Sequence, residues 1–160
     1  MRYKAHTQEI CGLKLNPSSD IIATGGNDNK LVLFSLKKMS KLISWDEHQA
    51  AVKAIGFNPN EPTITSGAGT ADRKLRVFSL NTLKMINEVD TGSQICNLLY
   101  SPVSNELVTT HGYSLNQINL WKCKPNGGLE KIDSMMGHKS RVLYLAGESA
   151  GGKMVTGAGD

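Results

Sequence analysis

The chain has 160 residues, of which 39% are apolar, 20% are charged and 16 are glycines, and its formal net charge is +4. This length suits a single domain, and a glycine-rich, charge-poor composition argues against a disordered tail or a long-helix protein. No apolar run approaches the roughly 18 residues of a membrane span, so no membrane partner is expected. The charge is mild and no basic stripe carries interleaved aromatic residues, so no nucleic-acid partner is expected either.

The cysteines and histidines indicate neither a disulfide framework nor a metal site. Three cysteines occur, an odd number without a Cys-x-x-Cys pair, which is typical of reduced thiols in a cytosolic or nuclear protein. No histidine has metal-ligand spacing around it. The expectation is therefore a protein of the nucleus and cytoplasm with no metal and no cofactor.

Four segments of the chain repeat one pattern, which is the first property to establish in any sequence. Each segment has an apolar anchor four residues after its start, and the anchors are spaced 42, 43 and 47 residues apart. The anchors are Ile10, Val52, Ile95 and Val142. The resulting units cover approximately residues 6–47, 48–90, 91–137 and 138–160, and the fourth is expected to be truncated.

Within each unit the chain alternates between short apolar runs and turn residues. The runs have four to six residues rich in Val, Ile, Leu and Thr, and Gly, Asn, Asp or Pro separates them, which predicts strands and turns. Residues 16–20 and 58–62 predict hairpin turns, and residues 25–29 supply the positive-φ positions that a tight turn requires. Four short strands in every 40 to 45 residues are typical of WD-repeat propeller blades.

The predicted fold class is therefore all-β, a partial WD-repeat β-propeller. It should contain about three and a half four-stranded antiparallel blades. The alternative fold is an irregular β-sandwich.

Three of the units share a histidine, a hydroxyl residue and an aspartate. These sets are His6, Thr24 and Asp28, then His48, Ser66 and Asp72, then His138, Thr156 and Asp160. The same residue types form hydrolase triads, but a triad occurs once in a protein and not once in each repeat. We therefore predict structural networks in which the aspartate accepts the imidazole N–H and every buried polar group is paired. No catalytic residue is expected.

The third unit departs from this pattern. Thr91 stands where the histidine should be, and Asn116 lies near the aspartate position. We therefore expect the third blade to be held more loosely than the others.

One segment of the fourth unit is similar to a phosphate-binding loop. Residues 147–153 satisfy the first seven positions of the P-loop motif, but the eighth position is Met154, which has no hydroxyl for Mg²⁺. The residues that follow predict a strand and not a helix, so the dipole that would hold phosphate is missing. We interpret this segment as a hairpin turn.

The amino-acid sequence of the repeats resembles that of a particular protein family. The motifs that carry the resemblance are Gly-Gly-Asn-Asp-Asn at 25–29, Gly-Thr-Ala-Asp-Arg at 69–73, Asp-Thr-Gly-Ser-Gln-Ile-Cys at 90–96, Thr-His-Gly-Tyr-Ser at 110–114, Ser-Arg-Val-Leu at 140–143 and Thr-Gly-Ala-Gly-Asp at 156–160. They resemble the Fizzy family, the substrate-recruiting activators of the anaphase-promoting complex, a ubiquitin ligase. Several are similar to its Fizzy-related branch in particular.

This resemblance implies a seven-bladed propeller that binds degrons, the short peptides of cell-cycle proteins that mark them for ubiquitination. A Lys-Glu-Asn degron would lie on the top face near the axis, where the family's receptor residues correspond to Asn27, Thr70, Gln94 and Arg141. The implied partners are degron-bearing cell-cycle proteins and subunits of the anaphase-promoting complex. The implied activity is binding without catalysis.

The repeat pattern makes this site plausible, because Gln94 and Arg141 each directly precede the first strand of a unit. Equivalent positions of successive blades face the same side and would form an arc around the channel. An arginine there could pair bidentately with a carboxylate. The alternative is that all four are ordinary polar loop residues.

Three hypotheses about function remain open from the sequence. The first is a degron-binding piece of a Fizzy-related activator that lacks the rest of its seven blades. The second is a generic WD-repeat interaction scaffold, or a truncated copy without ligase-activating function. The third is a small hydrolase that uses one of the His–Asp pairs.

Overall fold

A computed structural model of the chain describes residues 3–16, 20–113 and 115–160. The predicted turn at residues 16–20 lies mostly outside the described residues. The strands are β1 Ile10–Asn16, β2 Ile21–Gly26, β3 Leu31–Ser35, β4 Ser40–Trp45, β5 Val52–Phe57, β6 Thr63–Ala68, β7 Lys74–Ser79, β8 Met85–Asp90, β9 Gln94–Tyr100, β10 Glu106–Gly112, β11 Ile118–Lys124, β12 Gly128–Met135, β13 Val142–Gly147 and β14 Met154–Ala158.

These strands form four antiparallel sheets, and each sheet uses consecutive strands. Three sheets have four strands, in the orders β1-β2-β3-β4, β5-β6-β7-β8 and β9-β10-β11-β12, and the fourth sheet is the β13-β14 hairpin. The described part of the chain contains no helix with the length and apolarity that a transmembrane segment requires. The all-β propeller prediction, with three blades followed by two strands of another, is confirmed.

The first strand of every sheet carries a β-bulge close to its start. The register shifts between Ile10 and Gly12, between Val52 and Ala54, opposite Thr110 and His111 in the third sheet, and between Val142 and Tyr144. A bulge bends its strand and changes the direction of nearby side chains. The bulge therefore lies at the equivalent position of the first strand in every sheet.

Neighbouring blades contact each other through their first strands and through glycines of the second strands. The first strands β1, β5, β9 and β13 pack side by side in chain order. A Cβ atom added to Gly25 would lie 2.3 Å from the Val52 carbonyl oxygen, and one added to Gly67 would lie 2.6 Å from Ile95 Cγ2. Both contacts join one blade to the next, so the close approach of the blades depends on glycine at these positions.

Two hydrophobic cores fill the spaces between the three complete blades. The first lies between the first and second sheets, and there Trp45 and Phe78 stack with ring centroids 4.3 Å apart. The Trp45 indole N–H donates to the Leu83 carbonyl at 3.1 Å, so its polar group is satisfied within the core. The second core lies between the second and third sheets, around Leu98 and Leu107. The cores therefore join blades to one another.

Replacing Gly25 with alanine should destabilise the chain, because the added methyl group meets the Val52 backbone of the next blade, which cannot rotate away. We expect Gly25→Ala to lower the free energy of unfolding by about 1–3 kcal/mol, the usual cost of overpacking a core. Denaturant titration followed by circular dichroism measures this change.

The matched control is Gly152→Ala in the β13–β14 turn, where an added Cβ would have only Glu148 Oε2 near it, at 3.6 Å. This variant should change the free energy of unfolding by less than about 0.5 kcal/mol. Equal losses in the two variants would contradict the blade-packing role of Gly25.

Candidate functional site

A histidine before the first strand is hydrogen-bonded to its own sheet in the first blade. His6 Nδ1 lies 2.8 Å from Asp28 Oδ1, and His6 Nε2 lies 2.8 Å from Thr24 Oγ1. A carboxylate can only accept, so Nδ1–H donates to Asp28 and Nε2 accepts the Thr24 hydroxyl proton. Burial works to raise the pKa of Asp28, but hydrogen bonds from His6 and the Thr7 amide outweigh it and hold that pKa below its usual value.

The second blade has the same arrangement with an added arginine. His48 Nδ1 lies 2.5 Å from Asp72 Oδ2, and its Nε2 lies 2.7 Å from Ser66 Oγ. Arg76 is buried beside them, donates to Asp72 at 2.6 Å and lies 2.9 Å from Glu88 Oε2. Burial lowers the pKa of His48 by more than its bond with Asp72 raises it. The neutral imidazole is therefore the favoured form.

The fourth unit repeats the arrangement near the surface. His138 Nδ1 lies 3.1 Å from Asp160 Oδ1, and Nε2 lies 3.0 Å from Thr156 Oγ1. The Lys139 amide donates to the other Asp160 oxygen at 2.6 Å. Each of these networks ties the loop before a first strand to the second strand of its own sheet.

The geometry of the second unit does not suit the hydrolase hypothesis. Ser66, the hydroxyl partner of His48, has no exposed surface. A nucleophile must reach its substrate, and this hydroxyl lies inside a sheet. Among the described residues there is also no group of three or more His, Cys, Asp or Glu side chains that could hold a metal ion.

The expectation of a loosely held third blade is wrong. His111, in β10, has no exposed surface, and its Nε2 lies 2.7 Å from Thr109 Oγ1. Its Nδ1 lies 2.9 Å from Ser93 Oγ, and Asn119 Nδ2 donates to Nε2 at 3.1 Å. The Trp121 indole N–H donates to Thr109 at 2.8 Å. This buried network, centred on His111, thus replaces the network that a histidine at position 91 would form.

The strand register explains how His111 takes the place of the loop histidine found in the other units. It pairs with Ile95, as Gly26 pairs with Ile10 in the first blade. A Cβ added to Gly26 would lie 2.5 Å from His6 Nδ1. A side chain at this strand position therefore points into the space that the imidazole of His6 fills, and in the third blade the ring reaches that space from the strand.

The four predicted receptor residues lie along one rim of the propeller. Gln94 begins β9 and Arg141 precedes β13, whereas Asn27 and Thr70 lie in the turns after β2 and β6. In an antiparallel sheet the start of the first strand and the end of the second strand share an edge. The Asn27 amide donates to the Glu9 carbonyl at 2.9 Å, which joins the turn after β2 to the loop before β1.

The four side chains differ in exposure and in partners. Asn27 and Thr70 are exposed, and Asn27 Nδ2 donates to Glu9 Oε2 at 3.2 Å. Gln94 is only 5% exposed, and within the described part of the chain its buried Oε1 has no hydrogen-bond partner. Arg141 is half-buried. Among the described residues, no hydrogen bond joins two of these four side chains directly.

Sequence reasoning missed Tyr113, which lies on the same rim. The Arg141 guanidinium carbon lies 4.6 Å from the centre of the Tyr113 ring. Tyr113 follows β10 by one residue, and by strand register it occupies the place that Thr70 occupies in the second blade. That equivalence was the signal that could have identified it.

A shallow depression surrounds this pair of residues. Its lining also includes Asn116 and Lys139. Two cationic side chains, Lys139 and Arg141, therefore face a depression that also has an amide group and an aromatic ring. This chemistry suits a polar ligand that carries a carboxylate.

The segment that is similar to a phosphate-binding loop is a hairpin turn, as predicted. It joins β13 to β14, and the Glu148 amide donates to the Lys153 carbonyl at 2.9 Å. A strand follows it, so no helix N-terminus is available to hold phosphate.

Consecutive four-stranded sheets, joined through their first strands and repeating one imidazole–hydroxyl network, define the class of WD-repeat β-propeller proteins. Comparisons with known proteins agree. The family model described as the anaphase-promoting complex subunit 4 WD40 domain matches residues 13–103, more than half of the chain. The chain therefore belongs to this WD40 family, and it is similar to Fizzy-related proteins.

The chain is similar to proteins named as an APC/C activator and as a Fizzy-related protein. The chain is 42% identical over 158 residues to the APC/C activator protein CDH1 of Saccharomyces cerevisiae, covering 98% of this chain and 27% of that protein. It is 46% identical over 158 residues to the meiotic fizzy-related protein 1 of Schizosaccharomyces pombe, covering 98% of this chain and 37% of that one. The resemblance to the Fizzy family is confirmed.

A solved structure also matches. A chain of the crystal structure of the mitotic checkpoint complex aligns with a TM-score of 0.91 and 33% identity, over 96% of this chain and 49% of that chain. The chain thus spans half of the length of this structural neighbour and about a third of the length of its curated relatives.

The buried imidazole of the third blade should make stability depend on pH. Burial lowers the pKa of His111 to about 4, whereas an unfolded histidine has a pKa of about 6.5. Between these values the unfolded chain binds a proton that the folded chain does not, so stability falls as pH decreases. The loss should reach roughly 3 kcal/mol from pH 7 to pH 4.

Denaturant titrations at several pH values measure this dependence in the wild-type chain and in His111→Gln. The variant should be less stable at pH 7 and should lose less stability on acidification. Parallel pH profiles for the two proteins would show that His111 is not the titrating group.

Proposed function

We propose that this chain is the degron-binding part of a Fizzy-related activator of the anaphase-promoting complex. In this proposal Asn27, Thr70, Gln94 and Arg141 bind a Lys-Glu-Asn peptide on the rim described above. The chain binds and presents a substrate, and the ubiquitin ligase performs the chemistry. Its similarity to the protein named APC/C activator protein CDH1 supports this assignment.

The observation that carries the proposal is the position of Gln94 and Arg141 on one rim, at the starts of consecutive blades. Gln94 Oε1 is a buried acceptor with no hydrogen-bond partner among the described residues, and Arg141 offers a guanidinium on the same rim, just before the first strand of the next blade. An unpaired buried acceptor costs free energy unless a ligand donates to it. A peptide with an ammonium or amide group next to a carboxylate would satisfy Gln94 and pair with Arg141.

The proposed partners follow from this role. They are degron-bearing cell-cycle proteins on the rim and subunits of the anaphase-promoting complex. The proposed location is the nucleus and cytoplasm, where such partners would be met. The generic WD-repeat scaffold is the second candidate, and it predicts no preference for the Lys-Glu-Asn sequence.

Removing the guanidinium tests the proposal. Arg141→Ala should weaken binding of a fluorescently labelled Lys-Glu-Asn peptide by about 1–3 kcal/mol, the scale of a hydrogen bond to a charged group. This loss corresponds to roughly 5- to 150-fold in Kd. Fluorescence anisotropy on the 160-residue chain measures it.

Two controls make the result specific. Lys84→Ala removes an exposed cation from the β7–β8 turn, on the opposite rim, and should leave Kd unchanged. A peptide with Lys-Gln-Asn should bind the wild-type chain more weakly and should lose little further affinity in Arg141→Ala. No binding to the wild-type chain, or equal losses for both peptides, would favour the scaffold hypothesis.

A further inference from the structure

Arg141 is held by two residues of the blade before its own. Its guanidinium lies over the ring of Tyr113, with 4.6 Å between the guanidinium carbon and the ring centre. Tyr113 is 62% exposed, so most of its ring contributes nothing to a core. An arginine over a tyrosine face gains electrostatic attraction from the ring quadrupole. The contact therefore orients a cation at the rim.

The aliphatic part of Arg141 lies against Gly112. A Cβ atom added to Gly112 would lie 2.4 Å from Arg141 Cγ and 2.9 Å from its Cδ. No side chain could occupy residue 112 while Arg141 keeps this position. Glycine here leaves room for the arginine stem to cross the end of β10, and Tyr113 then supports its charged end.

The backbone of Tyr113 is also unusual. Its φ is 57°, in the left-handed region that bulky residues rarely adopt. Such conformations persist where the surrounding structure imposes them, and they concentrate at functional sites. Here the conformation accompanies a ring that lies beneath the arginine of the next blade.

We propose that Gly112 and Tyr113 are positioning residues for Arg141, which they hold ready for a carboxylate of the bound peptide. This inference rests on the proposed function. A long arginine side chain that is already ordered loses less conformational freedom when its partner binds. Tyr113 thereby sets affinity for the acidic residue of the peptide without pairing with that residue.

A double-mutant cycle tests this role. Tyr113→Ala should weaken the Lys-Glu-Asn peptide about three- to tenfold, the range expected for a cation–π contact at a partly exposed site. The same variant should change Kd for the Lys-Gln-Asn peptide by less than about twofold, because that peptide has no carboxylate for Arg141. Tyr113→Phe keeps the ring face and should bind both peptides like the wild-type chain.

Tyr144→Ala is the matched control, since Tyr144 is a 72% exposed tyrosine on β13. It should leave both affinities unchanged. Equal losses for the two peptides in Tyr113→Ala would indicate a structural role and overturn the proposal. Unchanged affinity for Lys-Glu-Asn would overturn it too.

A second readout separates this proposal from the proposed function. In the chain without peptide, NMR should show the Arg141 side-chain protons shifted upfield by the Tyr113 ring. The shift should vanish in Tyr113→Ala and persist in Tyr113→Phe. If the wild-type chain binds neither peptide, the proposed function fails. An Arg141 spectrum that is the same in the wild-type chain and in Tyr113→Ala would overturn the positioning role by itself.

Discussion

The rim of this propeller depends on one repeated hydrogen bond, between an imidazole Nε2 and a hydroxyl of the second strand. It occurs in all four units, at 2.8 Å for His6, 2.7 Å for His48, 2.7 Å for His111 and 3.0 Å for His138. In three units the histidine belongs to the loop before the first strand. The bond therefore fixes the loop that leads to the rim, and a bulge then sets the angle at which the strand begins.

The third blade shows what this constraint requires. His111 comes from the second strand instead of the loop, yet its ring occupies the corresponding space and binds the corresponding hydroxyl, Thr109. Ser93 replaces the aspartate as the partner of Nδ1. The blades thus share the position of an imidazole ring between two polar partners. The residue that supplies the ring can change.

Much of the architecture could be predicted because a repeat presents the same evidence several times. The anchors Ile10, Val52, Ile95 and Val142 each start a first strand or lie beside its start. The His, hydroxyl and Asp sets recur at nearly constant spacing, so their mutual contacts could be expected from the pattern.

The features that the sequence did not predict depend on contacts between residues that the repeat pattern does not relate. His111 could not be predicted because the repeat pattern places the histidine at position 91, and only the strand register reveals that residue 111 points into the same space. Tyr113 escaped prediction because its contact with Arg141 joins two blades across 28 positions of the sequence. The burial of Gln94, which leaves its oxygen unpaired, results from packing between strands and has no local signature.

The proposed binding site lies on one rim of the propeller. Its groups come from loops that the imidazole networks hold, and Arg141 is ordered by the blade before it. The opposite rim consists of turns such as residues 58–61 and 101–105, which carry no comparable networks in the described part of the chain. A bound peptide should therefore affect the two rims differently.

Amide hydrogen exchange of the 160-residue chain, with and without a saturating Lys-Glu-Asn peptide, distinguishes the two rims. We expect slower exchange in the loops that carry Gln94, Tyr113 and Arg141, and unchanged exchange in the turns at residues 58–61 and 101–105. Protection confined to those opposite turns, or no protection at a concentration that saturates binding, would contradict it.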